Sequence, residues 1–317
     1  MGITSTIRRF TAGGNLGRLV HKIPDRLGRD LGRSHPNWFY DGRILNVDVG
    51  SRVLSELLLG DRPIAVSRLG ATEQNTLRCY SGSTGRYPTY VRDDISQLSG
   101  VNPPTDEVLD RFCAMYYDAL PAIDFLGVWY HRQERKLVRK LLTPSTVLAS
   151  FMTLDPLVPE TPWTAALAGQ KVCVVSPFKA SIESQYERRL SLFTDTRYLP
   201  NFELTVVEAV QALGGLPPQF ETWFDALDSM SNQIAASGCD VVLISAGAFG
   251  LPLAVRAKEA GMKAIHLGGA LQLLFGISGK RWDEKDYVAR LRTDSWVRPS
   301  SAERPLTAGN VEDGCYW

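Results

Sequence analysis

The sequence predicts an α/β fold in which helices cover both faces of a parallel sheet. Two observations carry this. Short apolar runs rich in β-branched residues, such as Lys171 to Ser176 (KVCVVS) and Asp240 to Ser245 (DVVLIS), read as strands buried on both sides. Helical patterns lie between such runs, the alternation expected of crossover units. The 317 residues, 44% apolar and 22% charged, suffice for a sizeable core and exclude wholesale disorder.

Taken in order, Pro63 to Leu69 reads as a strand that enters Gly70, with a helix starting near Thr72. Ile123 to Trp129 and Thr146 to Phe151 are further strands, separated by the very basic run His131 to Lys140, which suits a solvated helix face. Lys171 to Ser176, Glu203 to Val207, Asp240 to Ser245 and Lys263 to Leu267 complete the set. Helices are expected over Val108 to Leu120, Glu183 to Leu192, Thr222 to Ala236 and Leu251 to Ala260. No repeat of fixed period is present.

The chain divides into a basic N-terminal arm (1–45), a sheet domain (46–291) and a tail (292–317). The arm carries +5 against a total of +1, so the rest is at −4. Such asymmetry suits either a solvated arm or contact with an anionic membrane surface. Near-neutral total charge argues against nucleic acid as a partner. Five scattered cysteines without a CxxC pair point to a reducing, cytoplasmic setting. The longest apolar stretch, Val241 to Val255, is too short and too interrupted to span a bilayer. Arg8-Arg9 is not followed by an apolar export segment. Cys315-Tyr316-Trp317 would be odd at a disordered end, so the tail is expected to dock on the core.

In an open parallel sheet, ligands sit beyond the carboxyl ends of the strands. Three such ends carry chemistry. At the first, Arg68 offers a planar fork for a phosphate or carboxylate, and Glu73 offers a base or a cation ligand. The same pair also suits a helix N-terminus with its own salt bridge. At the second, Ser245, Ala246, Gly247 and Gly250 form a small-residue loop before a helix, fit for an anion or for close packing. At the third, His266 interrupts an apolar strand, as a ligand or as a satisfied core residue. Ser176 and Lys179 close another strand, where Lys179 reaches for a phosphate or Ser176 caps a helix. Lys280, Arg281 and Trp282 join two cations to a flat ring.

The run Ser67-Arg68-Leu69-Gly70-Ala71-Thr72-Glu73 resembles the R-x-G-x-x-E element of bacterial GT-D-type glycosyltransferases. The runs at 240–247 and 260–269 resemble that family's C-terminal half, a strand, Gly loop, helix and strand ending near His-x-Gly. The resemblance spans roughly residues 50–290. It implies a Rossmann-like domain, a nucleotide-diphosphate-sugar donor such as a UDP-sugar, and a divalent cation, Mn or Mg, near a D-x-E element. It also implies a glycan or lipid-linked acceptor in surface polysaccharide or glycoprotein glycan synthesis. Glu73 matches the Glu of D-x-E, but Ala71 stands at the Asp position, so His266 is a candidate replacement metal ligand. Glu73 remains either base or ligand. On this reading Arg68 and Glu73 are catalytic. Ser176, Lys179, Ser245, Ala246, Gly247, Gly250, Lys280 and Arg281 then hold the donor. Two other readings compete. One is a different nucleotide-binding transferase or a dehydrogenase, against which no early G-x-G-x-x-G is found. The other is a non-catalytic scaffold of a glycan pathway, which the missing Asp favours.

Overall fold

A computed structural model describes residues 44–80, 87–212 and 219–317, except residue 312, and Arg132 by its backbone alone. The basic arm therefore lies, up to residue 43, outside the described residues.

Among the described residues, eight strands form one all-parallel sheet. In chain order the elements are β1 (Ile44–Leu45), α1 (Val47–Leu59), β2 (Ile64–Arg68), α2 (Ala71–Cys79), α3 (Thr89–Ser99) and α4 (Asp106–Ala119). Then follow β3 (Phe125–Val128), α5 (Arg132–Leu141), β4 (Val147–Ser150), β5 (Lys171–Ser176), α6 (Lys179–Glu187) and β6 (Glu203–Glu208). The last are α7 (Trp223–Ala236), β7 (Val241–Ile244), α8 (Gly250–Glu259), β8 (Lys263–His266), α9 (Leu271–Leu274) and α10 (Asp286–Ala289). The order across the sheet is β1-β4-β3-β2-β8-β7-β5-β6, a Rossmann-like α/β arrangement.

Strand composition explains the burial of both faces. In β5, Cys173 and Val175 enter one core and Val172 and Val174 the other. In β7, Val242 and Ile244 share the first core, while Val241 and Leu243 share the second. Period-two alternation thus places an apolar side chain on each face at every step. The first core packs under α2, α3, α4, α5, α7 and α8. The second packs under α1, α6, α9 and the loop carrying the fully buried Trp163.

Local chemistry sets several helix ends. Asn46 caps α1 by accepting from Val49 N at 2.9 Å. Thr222 and Asp225 form a reciprocal capping box at the start of α7. Gly100, at φ 78°, stops α3 in the left-handed region that glycine enters without a Cβ clash. Helix α6 starts earlier than its own sequence predicts. The Glu303 carboxylate, from the tail, accepts from Ser181 N at 3.0 Å and also from Ser181 Oγ, filling the first turn.

The tail segment 292–317 lies along the second core. Trp296 is buried and donates Nε1 to Leu192 O at 2.8 Å. Ile277 and Val297 form a parallel bridge. Arg281 N donates to Cys315 O at 2.9 Å, and Gln272 Nε2 to Tyr316 O at 3.1 Å. Among the described residues no helix is long and apolar enough to cross a membrane.

Candidate functional site

The chain leaves β5 through α6, on the second-core face, and leaves β7 through α8, on the opposite face. Strands β5 and β7 are neighbours, so their exits diverge and open a crevice at their carboxyl ends. A cleft of about 720 Å³, measured out to its open mouth, lies there. Its wall is drawn from the ends of β2, β5, β6, β7 and β8, the end of α3, and the tail residues Tyr316 and Trp317.

Arg68, the last residue of β2, reaches this cleft. Its guanidinium lies 5.0 Å from the centroid of Trp129 and packs over the Gly268 turn. Its Nε is buried and lacks a hydrogen-bond partner, and among the described residues no carboxylate pairs with it. Burial lowers its pKa, opposed by nearby Tyr316 and Glu73. Gly268 makes this position possible. At φ 68° it sits in the left-handed region, and a β-carbon there would come 2.7 Å from Arg68 Nη2.

Glu73 occupies the third position of α2 and is buried. Its carboxylate folds back over Gly70, where a β-carbon would stand 1.9 Å from Oε2. Any side chain at the glycine of the R-x-G-x-x-E run would displace the Glu73 carboxylate, although its φ of −69° suits any residue. Glu73 is not on the cleft wall itself. Thr72 Oγ1 donates to Glu73 Oε2 at 2.9 Å and lies 2.5 Å from Ser99 Oγ, and Ser99 does line the cleft. A hydroxyl has one proton to donate. With that of Thr72 given to Glu73, Ser99 donates to Thr72. A polarised chain of hydroxyls therefore joins the cleft to the carboxylate.

The loop after β7 supplies the opposite wall. Ser245, Ala246 and Gly247 all line the cleft, and Ser245 N continues the ladder to Val175 O at 2.8 Å. Gly247, at φ 52°, lies against Ser99 O. Tyr116 Oη donates to Ala248 O at 2.6 Å and pins the loop from below. Gly250 is not on the cleft wall. A β-carbon there would meet the His266 ring at 2.2 Å, so this glycine makes room for the imidazole. His266 is buried in β8, with Nδ1 3.1 Å from Ser67 Oγ. Burial, and then the charge of Arg68, push its pKa well below the usual value, so the ring is neutral.

The structure does not bring the remaining candidates onto the cleft wall. Ser176 Oγ accepts from Phe178 N at 3.2 Å and closes a local turn. Lys179 starts α6, whose N-terminal turn is already filled by Glu303. Lys280 is exposed. Arg281 stands just behind the wall: its guanidinium lies 4.7 Å from the Tyr316 ring centroid and donates to Tyr316 Oη at 3.1 Å. Ser99, Phe178, Gln272, Tyr316 and Trp317 line the cleft and were not among the sequence candidates. Only the aromatic pair announced itself, as rings too apolar for a free tail.

The donor set does not fit a cation held by protein ligands alone. Among the described residues no three His, Cys, Asp or Glu side chains gather. Glu73 is engaged by Thr72, and His266 is enclosed between Ser67 and Gly250.

No family model matches the chain. No curated protein matches it either. A solved structure described as the selenomethionine-substituted form of domain of unknown function 1792 is similar at 10% identity with a TM-score of 0.44, covering 89% of this chain and 96% of that one.

Proposed function

We propose that this chain is a glycosyltransferase that moves a sugar from a nucleoside-diphosphate donor to a hydroxyl of a glycan or lipid-linked acceptor. The observation that carries this reading is Arg68. A guanidinium without an acidic partner, placed at the crevice of a parallel sheet beside a backbone turn, is built to meet an external anion. The GT-D-like run around it supports a sugar nucleotide as that anion's source.

The chemistry follows from the residues. The bond between the anomeric carbon and the diphosphate oxygen breaks, and its electron pair leaves with the diphosphate. Arg68, with Arg281 behind Tyr316, stabilises the charge that gathers there. The acceptor hydroxyl bonds to the anomeric carbon and loses its proton to Ser99. Ser99 passes a proton to Thr72, and Thr72 passes one to Glu73. A divalent cation, where it takes part, would enter with the donor, and no step here depends on it.

Calorimetric titration with UDP, GDP and other nucleoside diphosphates, with and without manganese, tests the reading. One of them binds the wild-type chain, and Arg68→Ala weakens it about tenfold or more, the scale of a charge-assisted contact. Failure of every nucleoside diphosphate to bind would overturn the proposal.

A further inference from the structure

We propose that Trp317 is the ring on which the donor's nucleobase stacks, so that the tail reads the base while Arg68 holds the diphosphate. This rests on the nucleotide-sugar reading above and adds to it a position for the base.

The two ends of the cleft differ in chemistry. The end beside β2 and β8 carries Arg68 with its unpartnered Nε and the Gly268 turn. The end beside β5 and β6 is mostly apolar, formed by Phe178, Val210, Ala212 and Trp317, with Gln211 as its polar member. Strands β2 and β5 are three places apart in the sheet, roughly 14 Å at the usual strand spacing. The cleft therefore suits an extended ligand with charge at one end and a flat ring at the other.

Trp317 is held as a platform should be. Its Nε1 donates to Glu303 O at 3.1 Å, so its polar edge is tied down. Glu303 is itself clamped by Ser181 and by Ser300 N at 3.1 Å. Its aromatic neighbours are nearly perpendicular to it, Phe178 at 84° and Tyr316 at 85°, so neither is stacked parallel to the indole. An indole fixed by its nitrogen, half-exposed on a cleft wall, offers a π-face at little ordering cost.

The test titrates the full chain with UDP, GDP, ADP, CDP, dTDP and inorganic pyrophosphate, in wild type and in Trp317→Ala, Trp317→Phe and Trp317→Leu. Wild type is expected to prefer at least one nucleoside diphosphate over pyrophosphate. Trp317→Ala and Trp317→Leu lose about tenfold to a hundredfold of that preference, the range for one stacked base, and leave pyrophosphate binding within about twofold. Trp317→Phe keeps most of it. If Trp317→Ala does not fold, the comparison of Phe with Leu, both large and apolar, decides alone. A preference that survives Trp317→Leu overturns the inference, as does equal binding of pyrophosphate and nucleotides by wild type, and both leave the diphosphate site standing. Absence of all binding overturns the nucleotide reading and this inference with it.

Discussion

The Glu73 carboxylate occupies the space that a side chain on Gly70 would need, with 1.9 Å between Oε2 and an ideal β-carbon. Gly70→Ala must therefore turn the carboxylate away from Thr72. Sugar-nucleotide turnover should fall about a hundredfold, the low end of what a general base contributes. Nucleotide affinity should hold, because Arg68 is untouched. A released-nucleotide assay beside a binding titration checks this, and unchanged turnover would remove Glu73 from the mechanism.

Thr72→Val cuts the hydroxyl chain with almost no change in shape. Turnover should drop by about a hundredfold, and Thr72→Ser should restore most of it. Equal rates for the valine and serine variants would show that protons reach Glu73 by another route.

Gly268→Ala acts on Arg68 from the other side. The new β-carbon meets the guanidinium at 2.7 Å, and φ 68° costs a further ~1 kcal/mol for any residue with a β-carbon. The expected result is a nucleotide Kd raised about tenfold, with a modest loss in Tm. Wild-type affinity in this variant would mean that Arg68 does not hold the donor.

His266 gives stability a sign with pH. Its folded pKa lies well below the ordinary imidazole value, so below about pH 6.5 the unfolded chain binds the extra proton. Its contribution is present above that pH and is lost as pH falls towards the folded value. Urea unfolding of wild type and His266→Gln between pH 7 and 5 should show the shallower slope in the variant, by up to ~1.4 kcal/mol per pH unit. Parallel slopes would contradict a neutral buried ring.

Asp155 works in the opposite direction. It is buried, accepting from Leu157 N at 3.1 Å and Tyr287 Oη at 2.9 Å, and burial raises its pKa to about 6. The protonated form is the one the fold favours, so its stability is complete below about pH 4 and is lost as pH rises through 6. Asp155→Asn should be more stable than wild type at pH 7.5, by about 2 kcal/mol, and should show no gain near pH 4. A destabilised variant at pH 7.5 would show that the two hydrogen bonds outweigh burial.

The sheet was legible from sequence because its strands are apolar on both faces and bounded by turns. Lys171–Ser176 matches residue for residue, and β6 extends the expected strand by one residue. Two-residue β1 is too short to show periodicity, and α3 is too polar to stand out from its surroundings. The strand ends pointed to Arg68, Ser245, Ala246 and Gly247, which do share the cleft. Lys179 stands off the cleft wall, at a helix terminus filled from position 303, a contact no local pattern contains. Gly250 also lies off the cleft wall, and what a β-carbon there would meet is His266, on the next strand.

The pairing of β2 with β8 carries a consequence for biosynthesis. Ile64 is made early and waits for Lys263, its partner in the ladder. Until β8 leaves the ribosome, β2 and β7 each present an open edge of apolar backbone. Long-range parallel pairing is slow to form, so the incomplete chain passes through a period in which its central strands invite the wrong neighbours. The strand that closes this gap is the last one made, and it seats beside β2, whose final residue is Arg68.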